Sequence, residues 1–109
     1  MGFSVQYTKD ELIFIINEEV IQDSLIEKVV NQIKPKYKIG LDMKKVKALN
    51  SDLFIKYLIN NKFKLYNLQN DVITYLSMIL KNGNLKSYLN FEDFKNNKRE
   101  LVRRRFSIV

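Results

Sequence analysis

A chain of 109 residues, 46% apolar and 28% charged, is long enough for one domain with a real core and too short for two. It contains no cysteine and no histidine, which excludes disulfides, zinc-thiolate sites, thiol nucleophiles and the Ser-His-Asp or Cys-His machinery; the expectation is a protein that is not an enzyme and holds no cofactor and no metal. The net charge of +7 is uneven: residues 95–109 hold Lys95, Lys98, Arg99, Arg103, Arg104 and Arg105 against Glu100, whereas residues 1–94 carry 13 basic and 11 acidic side chains.

The first residues, FSVQYT (Phe3 to Thr8), alternate apolar and polar side chains with the period of a half-buried strand. Lys9-Asp10 is a tight polar break, and ELIFIIN follows as a second, more apolar strand, so the pair reads as a hairpin. The period then lengthens: Leu25, Ile26, Val29, Val30 and Ile33 fall at helical spacing behind Ser24 and Glu27, which have the spacing of a capping box, and Pro35 stops the helix. In YKIGLDM the side chains of Tyr37, Ile39, Leu41 and Met43 share one face of a short strand, and Gly40 on the other face predicts a helix packed close against it.

The stretch KVKALNSDLFIKYL joins that strand to a helix from about Ser51 to Asn60, with Leu53, Phe54, Tyr57 and Leu58 on its buried stripe. KFKLYNL is a further strand. Asn70 is placed to cap DVITYLSMILKNG, whose Val72, Ile73, Leu76, Ile79 and Leu80 make a helical stripe ending at Gly83. LKSYL is a last short strand, and Asn90 caps a helix running from Phe91 towards Phe106. The expected order is therefore β-β-α-β-α-β-α-β-α. Strands separated by single helices need right-handed crossovers, so the fold class is α/β with a mixed, mostly parallel sheet of four to five strands. Neither a spanning helix nor a basic leader followed by a long apolar stretch is visible, so the expected setting is the cytoplasm.

That order, with the residues at its joints, resembles the STAS domain, the family of bacterial anti-sigma-factor antagonists and of the cytoplasmic tails of sulfate transporters. The likeness covers residues 3 to about 95 and rests on three segments: ELIFIINEEVIQDSLIEKVVNQI, KIGLDMKKVKALNSD and NDVITYLSMILKNGNLKSYLNFEDF. It implies a STAS-like domain over residues 1–94, followed by a basic helix or tail over 95–109. In the family the loop after the central strand ends Asp-Ser-Ser-Gly, and a partner kinase that doubles as an anti-sigma factor phosphorylates the first serine. Asn50 takes the aspartate place, Ser51 the phosphoserine place and Asp42 the strand's acidic position, while Asp52 and Leu53 stand where the family has serine and glycine. The resemblance thus implies a protein partner, either an anti-sigma, kinase-like protein or a transporter subunit, that reads Asn50, Ser51 and Asp52.

Each of these residues also has a structural reading. Asn50 or Ser51 caps a helix, Asp52 complements the helix dipole, and Asp42 accepts hydrogen bonds from the loop after it. Lys44, Lys45 and Lys47 form a solvated loop edge, or attract an acidic partner. The arginines at positions 99, 103, 104 and 105 solubilise the chain end, or form a basic arm for nucleic acid or an anionic membrane surface. The buried face of the helix after Ser51 is also suited to a homodimer.

Overall fold

The computed structural model describes residues 2–80 and 87–96. The chain runs β1 (Phe3–Tyr7), β2 (Glu11–Ile16), β3 (Val20–Gln22), α1 (Asp23–Asn31), β4 (Lys38–Asp42), β5 (Ala48–Asn50), α2 (Asp52–Ile59), β6 (Lys64–Tyr66), α3 (Asn70–Ile79), β7 (Ser87–Tyr88) and α4 (Phe91–Asn96). Five strands form the main sheet in the order β1-β2-β4-β6-β7. β1 is antiparallel to β2 and every other neighbouring pair is parallel. The expected order needs one correction: β3 and β5 are additional strands that form a separate two-stranded parallel sheet. Three residues are too few to show a period of two, and these strands exist because they find each other.

Each crossover from β2 to β4, β4 to β6 and β6 to β7 moves one strand in the same direction. Right-handedness then puts α1, α2 and α3 on one face of the sheet. The larger core lies there, where Leu12, Phe14, Ile16, Ile39, Leu41 and Leu65 of the sheet, with Met43 just after β4, meet Leu25, Ile26 and Val29 of α1, Phe54 and Leu58 of α2, and Val72, Ile73 and Leu76 of α3. The opposite face buries Ile13, Tyr66 and Tyr88 beneath Phe94 of α4. With both faces covered, β2 is an almost unbroken apolar run.

Gly40 lies where α4 crosses the sheet. A Cβ there would come within 2.7 Å of the Phe94 ring, so only glycine lets the ring sit this close. Lys38 runs under the same helix: its ammonium donates to the Phe94 carbonyl oxygen and lies 4.4 Å from the centre of the Phe94 ring. Burial, then the neighbouring Lys64, lowers the Lys38 pKa, and Glu11 works against that shift.

Two helix starts differ from expectation. α1 begins at Asp23 with Gln22 in the cap position, so Ser24 lies inside the first turn and the Ser24–Glu27 box is not the cap. α3 begins at Asn70, with Gln69 in the cap position. Asn90 does cap α4, accepting from the Asp93 amide at 2.9 Å. The expected stop at Gly83 and the extension of the last helix beyond Asn96 lie outside the described residues. Among the described residues, no helix is long and apolar enough to cross a membrane.

Burial of Tyr66, with the Asp42 carboxylate as a second cause, holds its phenol above the ordinary value of 10.0. As pH rises past that value the unfolded chain loses this proton while the folded chain keeps it, so stability falls with pH. Urea melts at about pH 9 and about pH 11 will show a smaller alkaline loss for Tyr66→Phe than for the parent chain. Equal losses would refute the assignment to Tyr66.

Candidate functional site

The small sheet builds the joint between strand and helix that the sequence singled out. Val20, Ile21 and Gln22 of β3 pair in register with Ala48, Leu49 and Asn50 of β5. Both strands run directly into helices, so the next residues, Asp23 and Ser51, arrive side by side at two adjacent helix N-termini. Ser51 is the N-cap of α2: its Oγ accepts from the Phe54 amide at 2.9 Å. The same hydroxyl donates to Asp23 Oδ1 at 2.5 Å, and that oxygen also accepts from the Leu53 amide at 3.3 Å. One carboxylate from the start of α1 therefore serves the orphan donors of α2, where the helix dipole favours negative charge.

Beneath the joint, Phe54 is fully buried and stacks on Phe63 with ring centres 5.5 Å apart. The cap is thus bolted to the core one turn below it. Asn50 is exposed at the end of β5, and Asp52 is exposed in the first turn of α2. Glu19 closes the far end of the small sheet, accepting from the Lys47 and Ala48 amides at 2.7 and 3.1 Å and pairing with the Lys47 ammonium at 3.1 Å.

Asp42 has other partners. It follows Leu41 on the α4 side of the sheet, and its Oδ1 accepts from the Lys44 amide and from Asn67 Nδ2, both at 3.1 Å. Ser51, Asn50 and Asp52 come together, while Asp42 organises the neighbouring loop. The four arginines of the tail, Arg99, Arg103, Arg104 and Arg105, lie outside the described residues. Asp23 was missed by sequence reasoning; its only signal there is an acidic residue in the first turn of a helix, which does not reveal a partner on another helix.

From the joint a groove of about 490 Å³ descends between α2 and α3, lined at its mouth by Asn50, Ser51 and Asp52 and along its length by Leu49, Ile55, Ile59, Tyr75 and Ile79. α2 is short because Asn61 adopts a left-handed conformation (φ 58°) just after the Asn60 C-cap. The Asn61 amide then donates to the Leu58 carbonyl and the Lys62 amide to the Tyr57 carbonyl, a Schellman closure. Ile59, in the last turn, is left 60% exposed. On α3, Tyr75, Met78 and Ile79 share an outward face at i, i+3 and i+4 spacing, and Met78 is 72% exposed. Two apolar stripes thus stand side by side with nothing among the described residues covering them, the pattern of an interaction surface.

Among the described residues no group of three carboxylates gathers in a way that would hold a metal ion. The fold and this surface define a class: an α/β protein with a mostly parallel five-stranded sheet and an open groove beside a capped helix N-terminus. Comparisons with family models, with curated proteins and with solved structures each return no match.

Proposed function

We propose that this chain is a cytoplasmic, non-enzymatic regulatory module, similar to STAS-domain anti-sigma-factor antagonists, that docks an ATP-dependent protein kinase in the α2–α3 groove and is switched at Ser51. The observation that supports it is continuity: the half-buried Ile55 and the exposed Ile59, Tyr75 and Ile79 line a groove that opens onto the one hydroxyl that caps α2. A partner seated in the groove has that hydroxyl at its edge. A mixed, mostly parallel sheet with helices between its strands also supports this reading.

In the switch, the γ-phosphoryl group of ATP passes to Ser51 Oγ, the hydroxyl proton is lost and ADP leaves. The added dianion meets the Leu53 and Phe54 amides, which favour it, and the Asp23 and Asp52 carboxylates, which do not. Asp23 loses the Ser51 donor, keeps only the longer Leu53 amide contact and is repelled by the phosphate, so α1 and α2 part at their N-termini and the mouth of the groove changes shape.

The test incubates the full chain with host lysate and ATP and maps phosphate by mass spectrometry. Phosphate is expected on Ser51 of the parent chain, none at that position in Ser51→Ala, and at least about tenfold less in Ile59→Glu/Ile79→Glu, in which two charges occupy the groove. Ser51→Glu should weaken capture of the same kinase. Absence of phosphate at Ser51, or equal labelling of the groove variant, refutes the reading. Retention of nucleic acid that is lost with salt would shift the function to the arginine tail.

A further inference from the structure

β1 forms one border of the main sheet, and its outer side has no partner strand among the described residues. Two hydrogen bonds set the phase of its ladder with β2: the Asn17 amide donates to the Gly2 carbonyl at 2.8 Å, and the Thr8 amide to the Glu11 carbonyl at 2.9 Å. The register between them runs without a break from Phe3 opposite Ile16 to Tyr7 opposite Leu12. Bonded and non-bonded pairs alternate in an antiparallel ladder, so Gly2, Ser4, Gln6 and Thr8 turn their backbone groups towards β2. Phe3, Val5 and Tyr7 therefore turn theirs outward.

Sheet edges are ordinarily blunted by charge, proline, a bulge or a covering element. FSVQY has no charge and no proline, and its register has no bulge. We propose that β1 is a homodimerisation edge: two copies pair β1 against β1, antiparallel, about a two-fold axis through Val5, to make one continuous sheet. Val5 then faces Val5 and Phe3 faces Tyr7 of the second copy, with about six new backbone hydrogen bonds. Tyr7, 51% exposed in the single chain, gains the Phe3 edge of the second copy as cover.

The charges at the two ends of β1 are unequal. At the Tyr7 end, Lys34 lies 5.1 Å from the centre of the Tyr7 ring and Lys36 lies 5.2 Å from that of Tyr37, against Asp10 in the hairpin. At the other end, Glu18 packs beside Gly2, 3.0 Å from where a Cβ would stand, and the Lys45 ammonium reaches Asn17 Oδ1 at 3.5 Å. An antiparallel two-fold sets the lysine-rich end of each copy against the end that carries Glu18, and keeps the two lysine-rich ends apart. A closed isologous interface of this kind also uses up the edge, so association stops at two. The groove between α2 and α3 lies on other elements and stays open in the dimer.

Sedimentation equilibrium of the full chain, joined to amide hydrogen exchange, tests this. The expected mass is twice 13.0 kDa, with the Val5 and Tyr7 amides protected in a concentration-dependent way. Val5→Pro removes an outward donor that β2 does not use and should raise the dissociation constant about 30-fold, two hydrogen bonds being lost per dimer. If that variant misfolds by circular dichroism, Tyr7→Lys, which adds an edge charge, should also leave the chain monomeric. A mass of 13.0 kDa at every concentration overturns the proposal. So does a doubled mass with freely exchanging Val5 and Tyr7 amides, which puts the interface elsewhere. Protection of those amides in a monomer overturns it as well, and loss of that protection on deleting residues 97–109 would identify the tail as the cover.

Discussion

Replacing Phe94 with alanine will lower the free energy of unfolding by about 3–5 kcal/mol, a large fraction of what a domain of this size has. Phe94 is fully buried, with ring centres 5.4 Å from Tyr66 and 5.7 Å from Tyr88, and it fills the space Gly40 leaves open. Phe94 is the fully buried anchor of the six described residues of α4. Without its anchor it should leave the sheet, exposing Ile13, Tyr66 and Tyr88 together. Urea denaturation supplies the energy, and near-ultraviolet circular dichroism reports the loss of the packed tyrosines. Gly40→Ala attacks the same contact from the other side, by overpacking, and should cost about 1–3 kcal/mol. Because both act on one contact, the double variant should lose less than the sum. A loss below about 1 kcal/mol for Phe94→Ala would mean that α4 does not cover this face in solution.

The second large effect is at the joint. Ser51→Glu should destabilise the chain by about 2 kcal/mol, since it removes the cap and sets a carboxylate against Asp23. Asp23→Lys alone also destabilises, because it takes a favourable negative charge from two helix N-termini and leaves Ser51 without its acceptor. Combined, the two substitutions should recover about 1 kcal/mol relative to the sum of the singles, through attraction between the new charges at a solvent-exposed site. Thermal or urea melts of the four chains complete the cycle. Strict additivity would show that positions 23 and 51 do not interact, and the switch proposed for Ser51 would lose its mechanical output. The destabilisation also sets a control for binding experiments, which must be run well below the melting temperature of Ser51→Glu.

Much of the architecture is legible in the sequence because it is written in local periods. The alternation of Phe3, Val5 and Tyr7 places β1, and the i, i+3, i+4 spacing of Leu25, Ile26 and Val29 places α1, whatever lies opposite them. Gly40 is more informative still: a residue without a side chain on the covered face of a strand implies close approach, and Phe94 is what approaches. The capping position of Ser51 is local too, since the cap and the amide it serves are three residues apart. Along α2, the stripe of Phe54 and Leu58 predicts which face is buried. It does not say that the half-buried Ile55 and the exposed Ile59 will stand beside Tyr75 and Ile79 of another helix.

The tertiary structure alone decided what depends on partners distant in sequence. β3 and β5 are too short to announce themselves, and each is a strand only because the other lies beside it. Their register brings Asp23 to Ser51 across 28 positions, turning an ordinary helix cap into a link between two helices. The same holds for Asp42, whose bond to Asn67 spans 25 positions, and for the groove, whose walls come from α2 and α3. A hydrophobic period records that a face is buried, not what buries it. The sequence by itself therefore determined the class of fold, the order of most of its elements and the serine at the head of α2; only folding determined which carboxylate that serine would hold and which apolar surface would lie open beside it.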